Sequence, residues 1–83
     1  MSTTYYTKAG IHHTHSPFDI STTECFHRLD GPALIVEYFN EDYIEYWVNG
    51  NMIETLEVED WIKENNINLK TKAHQVLFML KFG

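Results

Sequence analysis

A single cysteine, Cys25, leaves no internal disulfide to form and excludes the disulfide scaffolds of small secreted domains. Two prolines and four glycines are too few for a linker or a low-complexity segment. No apolar run approaches the about 20 residues of a membrane span, and the start, MSTTYYTK, has no apolar signal-peptide core. A cytoplasmic location with no membrane contact is therefore expected. Bases are scarce, with six Lys and Arg against 12 Asp and Glu and a net charge of −6. Between Leu29 and Ile62 there are nine acids and no Lys or Arg. Phosphate binding needs a basic footprint, so no direct nucleic-acid ligand is expected for this span. It suits a basic protein partner, whose approach it would steer. There is no Gly-rich loop to cradle a phosphate.

What is present is concentrated in His27 to Gly50, HRLDGPALIVEYFNEDYIEYWVNG. Asn49-Gly50 between alternating runs reads as a two-residue type I′ hairpin turn. It sets Val48 opposite Asn51, Trp47 opposite Met52 and Tyr46 opposite Ile53. Continued, it also sets Glu45 opposite Glu54 and Ile44 opposite Thr55. Pro32 lacks an N–H, so a strand can begin after it and run from Ala33 to Phe39. The next connection is expected to be Asn40-Glu41-Asp42. A two-residue loop would put Glu37 beside Ile44, whereas a three-residue loop puts Phe39 opposite Tyr43 and sorts the faces. Asn40 or Asp42 would then take the left-handed position.

That register predicts one core face of Leu34, Val36, Tyr38, Ile44, Tyr46, Val48 and Ile53. The other face would carry three rows: Ile35, Trp47 and Met52; Glu37, Glu45 and Glu54; Phe39, Tyr43 and Leu56. Like charges in cross-strand register destabilise a sheet, so a carboxylate row between aromatics asks for a reason. A solvated acidic face with Trp47 under a helix is one reason. A partner surface is the other, made of Glu37, Tyr43, Glu45, Trp47, Met52 and Glu54.

The 83 residues make one domain, β-rich over 1–56 and helical over 57–83. TTYYTK is β-prone, and Gly10 to Glu24 reads as a loop. LEVEDWIKEN has early acids and a late Lys63, as a helix dipole prefers, with Val58, Trp61 and Ile62 on one side. Thr71 can cap a second helix with Ala73, Val76, Leu77 and Leu80 at helical spacing and Gly83 past its end. The alternating run VLFMLKF would also fit a strand. The expected fold is α+β: an antiparallel meander of three to five strands, then two short C-terminal helices.

HRLDGPA and EYWVNG resemble a short repeat of small, mostly uncharacterised proteins from large tailed bacteriophages and some bacteria. That unit reads His-Arg-x-Asp-Gly-Pro-Ala, an aromatic strand, then Trp-x-x-Asn-Gly or a close variant. Here Trp47-Val48-Asn49-Gly50 is one residue shorter, and the unit occurs once. The resemblance implies a phage accessory protein in the host bacterial cytoplasm that binds and inhibits a host or defence protein. It brings no catalytic residue.

Residues that could carry chemistry are few. His13-x-His15 and Cys25-x-His27 could supply three imidazoles and a thiolate to zinc, though the spacing lacks a Cys-x-x-Cys knuckle. In the repeat that this chain resembles, the His recurs without a Cys two residues earlier, so the resemblance implies that His27 is a hydrogen-bonder that braces a turn. Cys25 and His27 with Asp19 or Asp30 would make a nucleophile and base without a cleft, and Glu37 with Glu45 a carboxylate pair without a pocket. The expectation is a non-enzymatic inhibitor or adaptor with no cofactor, engaging the basic surface of a host protein. A zinc-stabilised binding module and an acidic nucleic-acid mimic are the alternatives, and homo-oligomerisation is left open.

Overall fold

The computed structural model describes residues 2–22 and 24–83. Five antiparallel strands come first: β1 Ser2–Thr7, β2 Gly10–Thr14, β3 Leu34–Glu37, β4 Asp42–Val48 and β5 Asn51–Ile53. They form one sheet in the order β2-β1-β3-β4-β5, and helices α1 Thr55–Glu64 and α2 Lys72–Phe82 follow. This is the α+β arrangement that the pattern implies, with one strand more than its turns announce. β2 lies where a loop is expected. It pairs with β1 from Thr7–Gly10 to Thr3–Thr14 across a Lys8-Ala9 turn, in which Thr7 Oγ1 accepts the Ala9 N–H at 3.1 Å. Of the histidines that make this stretch look like a polar loop, His12 and His13 serve as strand residues, and His12 stacks on Tyr5 with ring centroids 4.9 Å apart.

The Asn49-Gly50 turn is as expected, with φ of 52° and 81° and the pairs Tyr46–Ile53, Trp47–Met52 and Val48–Asn51. The β3–β4 register is not. Leu34 pairs with Glu45, Ile35 with Ile44, Val36 with Tyr43 and Glu37 with Asp42. The Tyr38 N–H closes the tip on the Glu41 carbonyl at 3.1 Å, and neither Asn40 nor Asp42 has positive φ. Relative to the three-residue loop the pairing shifts by an odd number of residues, so β3 and β4 exchange sides.

The reason is that the sheet buries both faces. On one, Tyr5, Leu34 and Val36 pack against Ile20 and Phe26 of the long β2–β3 connection. On the other, Tyr46, Val48 and Ile53 pack with Val58, Leu69 and Phe78, and Ile44, Trp61, Ile62 and Phe82 surround them. The single expected core face is thus two half-faces, and Tyr38 is exposed at the β3–β4 tip.

The HRLDGPA segment explains how β1 and β4 are held around a broken third strand. Phe26 to Arg28 lies between them: the His27 N–H donates to the Tyr6 carbonyl at 3.0 Å, and the Arg28 N–H to the Trp47 carbonyl at 3.1 Å. Leu29 to Pro32 then loops out before Ala33 rejoins, accepting from Tyr6 and donating to Glu45. Arg28 ties this excursion together. Its Nε donates to Asp30 at 2.6 Å, its Nη1 donates to the Pro32 carbonyl at 3.0 Å, and its guanidinium carbon lies 3.9 Å from the Tyr6 ring centroid. A Cβ at Gly31 would stand 3.1 Å from that carbon, so glycine leaves the room. The Arg28 hydrogen bond holds the Asp30 carboxyl below its ordinary pKa.

His27 braces a turn, as expected, and the turn is Asn49-Gly50: the Asn49 N–H donates to His27 Nδ1 at 3.0 Å. Burial, then the nearby Lys8 charge, lowers the His27 pKa. The ring accepts this bond only when neutral. With the folded pKa depressed, the stabilisation is complete above the unfolded imidazole value of about 6.5 and is lost as pH falls through the folded pKa. His27→Gln keeps an acceptor without a titration. Melting temperatures measured down this pH range should fall more steeply for the wild type than for the variant. Parallel curves would remove the brace from the account.

Both helices form where the sequence places them. α1 begins one residue early, and Thr55 Oγ1 donates to the Ile44 carbonyl at 3.4 Å. Thr71 Oγ1 accepts the His74 N–H at 3.3 Å and the Gly83 N–H returns to Met79, which settles VLFMLKF as helix. The face of α2 differs from expectation. Phe78 is fully buried against Tyr46, Trp61 and Phe82, whereas Ala73, Val76, Leu77 and Leu80 point outward.

Candidate protein-interaction surface

Strand alternation puts Tyr43, Glu45 and Trp47 on one side of β4, and Met52 joins them as the partner of Trp47. This is the side opposite the helices. Glu45 is the centre of the group. Tyr43 donates its hydroxyl to Oε2, and Trp47 Nε1–H donates to Oε1 at 3.0 Å. The first of these bonds, ahead of slight burial, raises the Tyr43 pKa. Two aromatic side chains and a carboxylate are thereby fixed in one arrangement, while each carboxylate oxygen keeps a second lone pair for an incoming donor. Tyr43 and Met52 are 50 % and 60 % exposed, so this arrangement is available at the surface.

Trp47 is half-buried and joins the group to the second core. Its ring meets Phe26 edge-on at 5.2 Å. Beside it lies a hollow of about 260 Å³ lined by Ile20, Thr22, Glu24, Cys25, Phe26, Trp47 and Gly50. Ile20 and Phe26 belong to this surface and carried no sequence signal for it. They reach it from a connection whose course depends on contacts distant in sequence.

The row of three carboxylates does not assemble. Glu45 and Glu54 stay near each other, since Thr55 is tied to Ile44, but Glu54 is the residue that precedes α1. Glu37 pairs with Asp42 and faces the helix side of the sheet. Phe39 is fully exposed at the β3–β4 tip rather than opposite Tyr43. Of the six residues expected to meet a partner, Tyr43, Glu45, Trp47 and Met52 form one patch, Glu54 borders it, and Glu37 is on the other side. The same parting removes Glu37 and Glu45 as a carboxylate pair.

The candidate zinc ligands do not converge either. His13 sits on β2 with Nδ1 3.1 Å from Thr4 Oγ1, and His27 Nδ1 is taken by the turn. Among the described residues no three of His, Cys, Asp and Glu stand together as a metal site would need. Cys25 is exposed beside Gly50 and opens no helix. Among the described residues, no helix is long and apolar enough to cross a membrane. Comparison with protein-family models, with curated proteins and with solved structures finds no match to this chain.

Proposed function

We propose that this is a non-enzymatic binding protein that engages a basic surface of another protein through Tyr43, Glu45, Trp47 and Met52. The observation that carries this reading is Glu45, only partly buried and held between a tyrosine hydroxyl and a tryptophan N–H. Such pre-organisation lowers the entropy cost of docking, and aromatic anchors beside a charge are what hot spots favour. The acid-only span from Leu29 to Ile62 adds steering toward a basic partner. The resemblance of HRLDGPA and WVNG to the phage repeat supports an accessory role, inhibition of a host or defence protein in the bacterial cytoplasm. In this chain those motif residues brace the scaffold, and the proposed contacts lie on the adjoining strand.

Capture of a partner from bacterial lysate, compared across variants, tests the surface. Glu45→Lys should abolish capture at low salt, and Trp47→Ala should weaken it by about 2 kcal/mol or more. Glu37→Lys, on the opposite side, should capture as the wild type does. A circular dichroism melt accompanies Trp47→Ala, because Trp47 also packs on Phe26. Undiminished capture by a folded Glu45→Lys variant would sink the reading. Loss of the partner to added DNA would favour a nucleic-acid mimic instead.

A further inference from the structure

A second exposed apolar surface lies away from the sheet. α2 turns Val76, Leu77, Met79 and Leu80 outward, with Val76 51 % and Leu80 74 % exposed. Beneath Leu77 and Leu80, between the helices, runs a groove of about 460 Å³ walled also by Trp61 and Ile67. A helix apolar on all sides belongs in an interior, and half of this one lacks its cover. The net charge around it differs from end to end, because Lys81 at the far end is outnumbered by acids. α2 contains no acid, and Lys72 starts it. At its other end Lys81 and Phe82 lie beside Glu57, Asp60 and Glu64 of α1.

We infer that this face docks a second copy of the chain, with the two α2 helices antiparallel about a twofold axis. That arrangement sets the basic start of each α2 against the acidic α1 flank at the far end of its partner. The leucines meet in the centre. A parallel pairing would stack like ends on like. An isologous contact closes on itself and gives a dimer rather than a fibre. It leaves the Tyr43–Glu45–Trp47 face free on each copy and stands independently of the function proposed for that face. At about 1.5 Å per residue α2 is short, so the contact is small and the dimer should dissociate in the micromolar range.

Sedimentation velocity of the intact chain from low to high micromolar should show the mass double. Leu80→Glu should weaken the dimer by more than about tenfold. Since Leu80 makes little contact within the monomer, its melt should be unchanged at low concentration. Lys72→Glu should weaken the dimer as well, and Asp60→Lys in that background should restore it, because each charge meets the other across the axis. Raising salt should weaken the wild type, because it screens Lys72 from the acidic flank of the partner copy. A chain that stays monomeric throughout, or a dimer untouched by Leu80→Glu, overturns the inference. A double variant as weak as Lys72→Glu alone overturns the antiparallel docking.

Discussion

Phe78→Ala is expected to cost about 3–5 kcal/mol, the range for emptying a fully buried phenylalanine site. The side chain is fully buried, and its ring stands 6.2 Å from Tyr46, 6.1 Å from Trp61 and 5.4 Å from Phe82, centroid to centroid. It is where the sheet, α1 and α2 meet. At about 0.05–0.15 kcal/mol per residue, a chain of 83 residues has only about 4–12 kcal/mol in all. The variant should therefore lose a large part of its stability, and its melting temperature should drop by about 4–8 °C for each kcal/mol. Leu80→Ala is the contrast. Two residues along the same helix and mostly exposed, it should change stability by no more than about 0.5 kcal/mol at concentrations too low for association. Urea unfolding of the two variants side by side decides it. Equal losses, or a larger loss for Leu80, would rotate α2 about its axis and put the spaced stripe back in the core.

That contrast also shows where the sequence stops being informative. The start and end of α2 are local facts, a Thr71 hydroxyl on the His74 N–H and a Gly83 N–H on Met79, and they are legible. Its inward face is not local. VLFMLKF is apolar nearly all round, so several stripes fit, and the choice rests with rings on α1 and β4. β3 has the same ambiguity. Its alternation is plain, but which side of β4 it matches depends on whether one face or two are buried. Ile20, from the stretch that reads as a loop, and Phe26, just beyond it, pack on the second buried face. The Tyr38–Glu41 connection contains no Gly or Pro to fix its length.

The candidate surface divides along the same line. Tyr43, Glu45 and Trp47 alternate within one strand, and Met52 follows through the Asn49-Gly50 turn, so their common side is independent of the β3 register. Glu37 was tied to them only across the β3–β4 connection, and it went with that register. The hydrogen bonds that orient Glu45 need side-chain geometry, which spacing does not contain. The HRLDGPA motif gains a physical meaning for each of its polar residues. His27 holds a turn, Arg28 spans Asp30 and the Pro32 carbonyl, and Gly31 makes way for the guanidinium. A unit so occupied with its own bracing is a scaffold element, and variation in function would fall on the strands that it supports.

Gly50→Val is the sharpest test of that scaffold and is expected to cost about 2–4 kcal/mol. Two effects add. Gly50 has φ of 81°, where a β-branched residue is strained by about 1–3 kcal/mol. A Cβ there would also stand 3.0 Å from Cys25 Sγ and 3.1 Å from Cys25 Cβ, closer than packed atoms accept. The Gly50 N–H donates to the Phe26 carbonyl at 2.9 Å, so backing away from Cys25 would loosen the join between β4 and the HRLDGPA segment. Gly50→Asn separates the two effects. Asparagine tolerates positive φ but brings the same Cβ, so its cost should fall between those of glycine and valine. Chemical denaturation reads all three. A valine variant within about 0.5 kcal/mol of the wild type would mean that the turn is not type I′, and the placement of Trp47 opposite Met52 would fall with it.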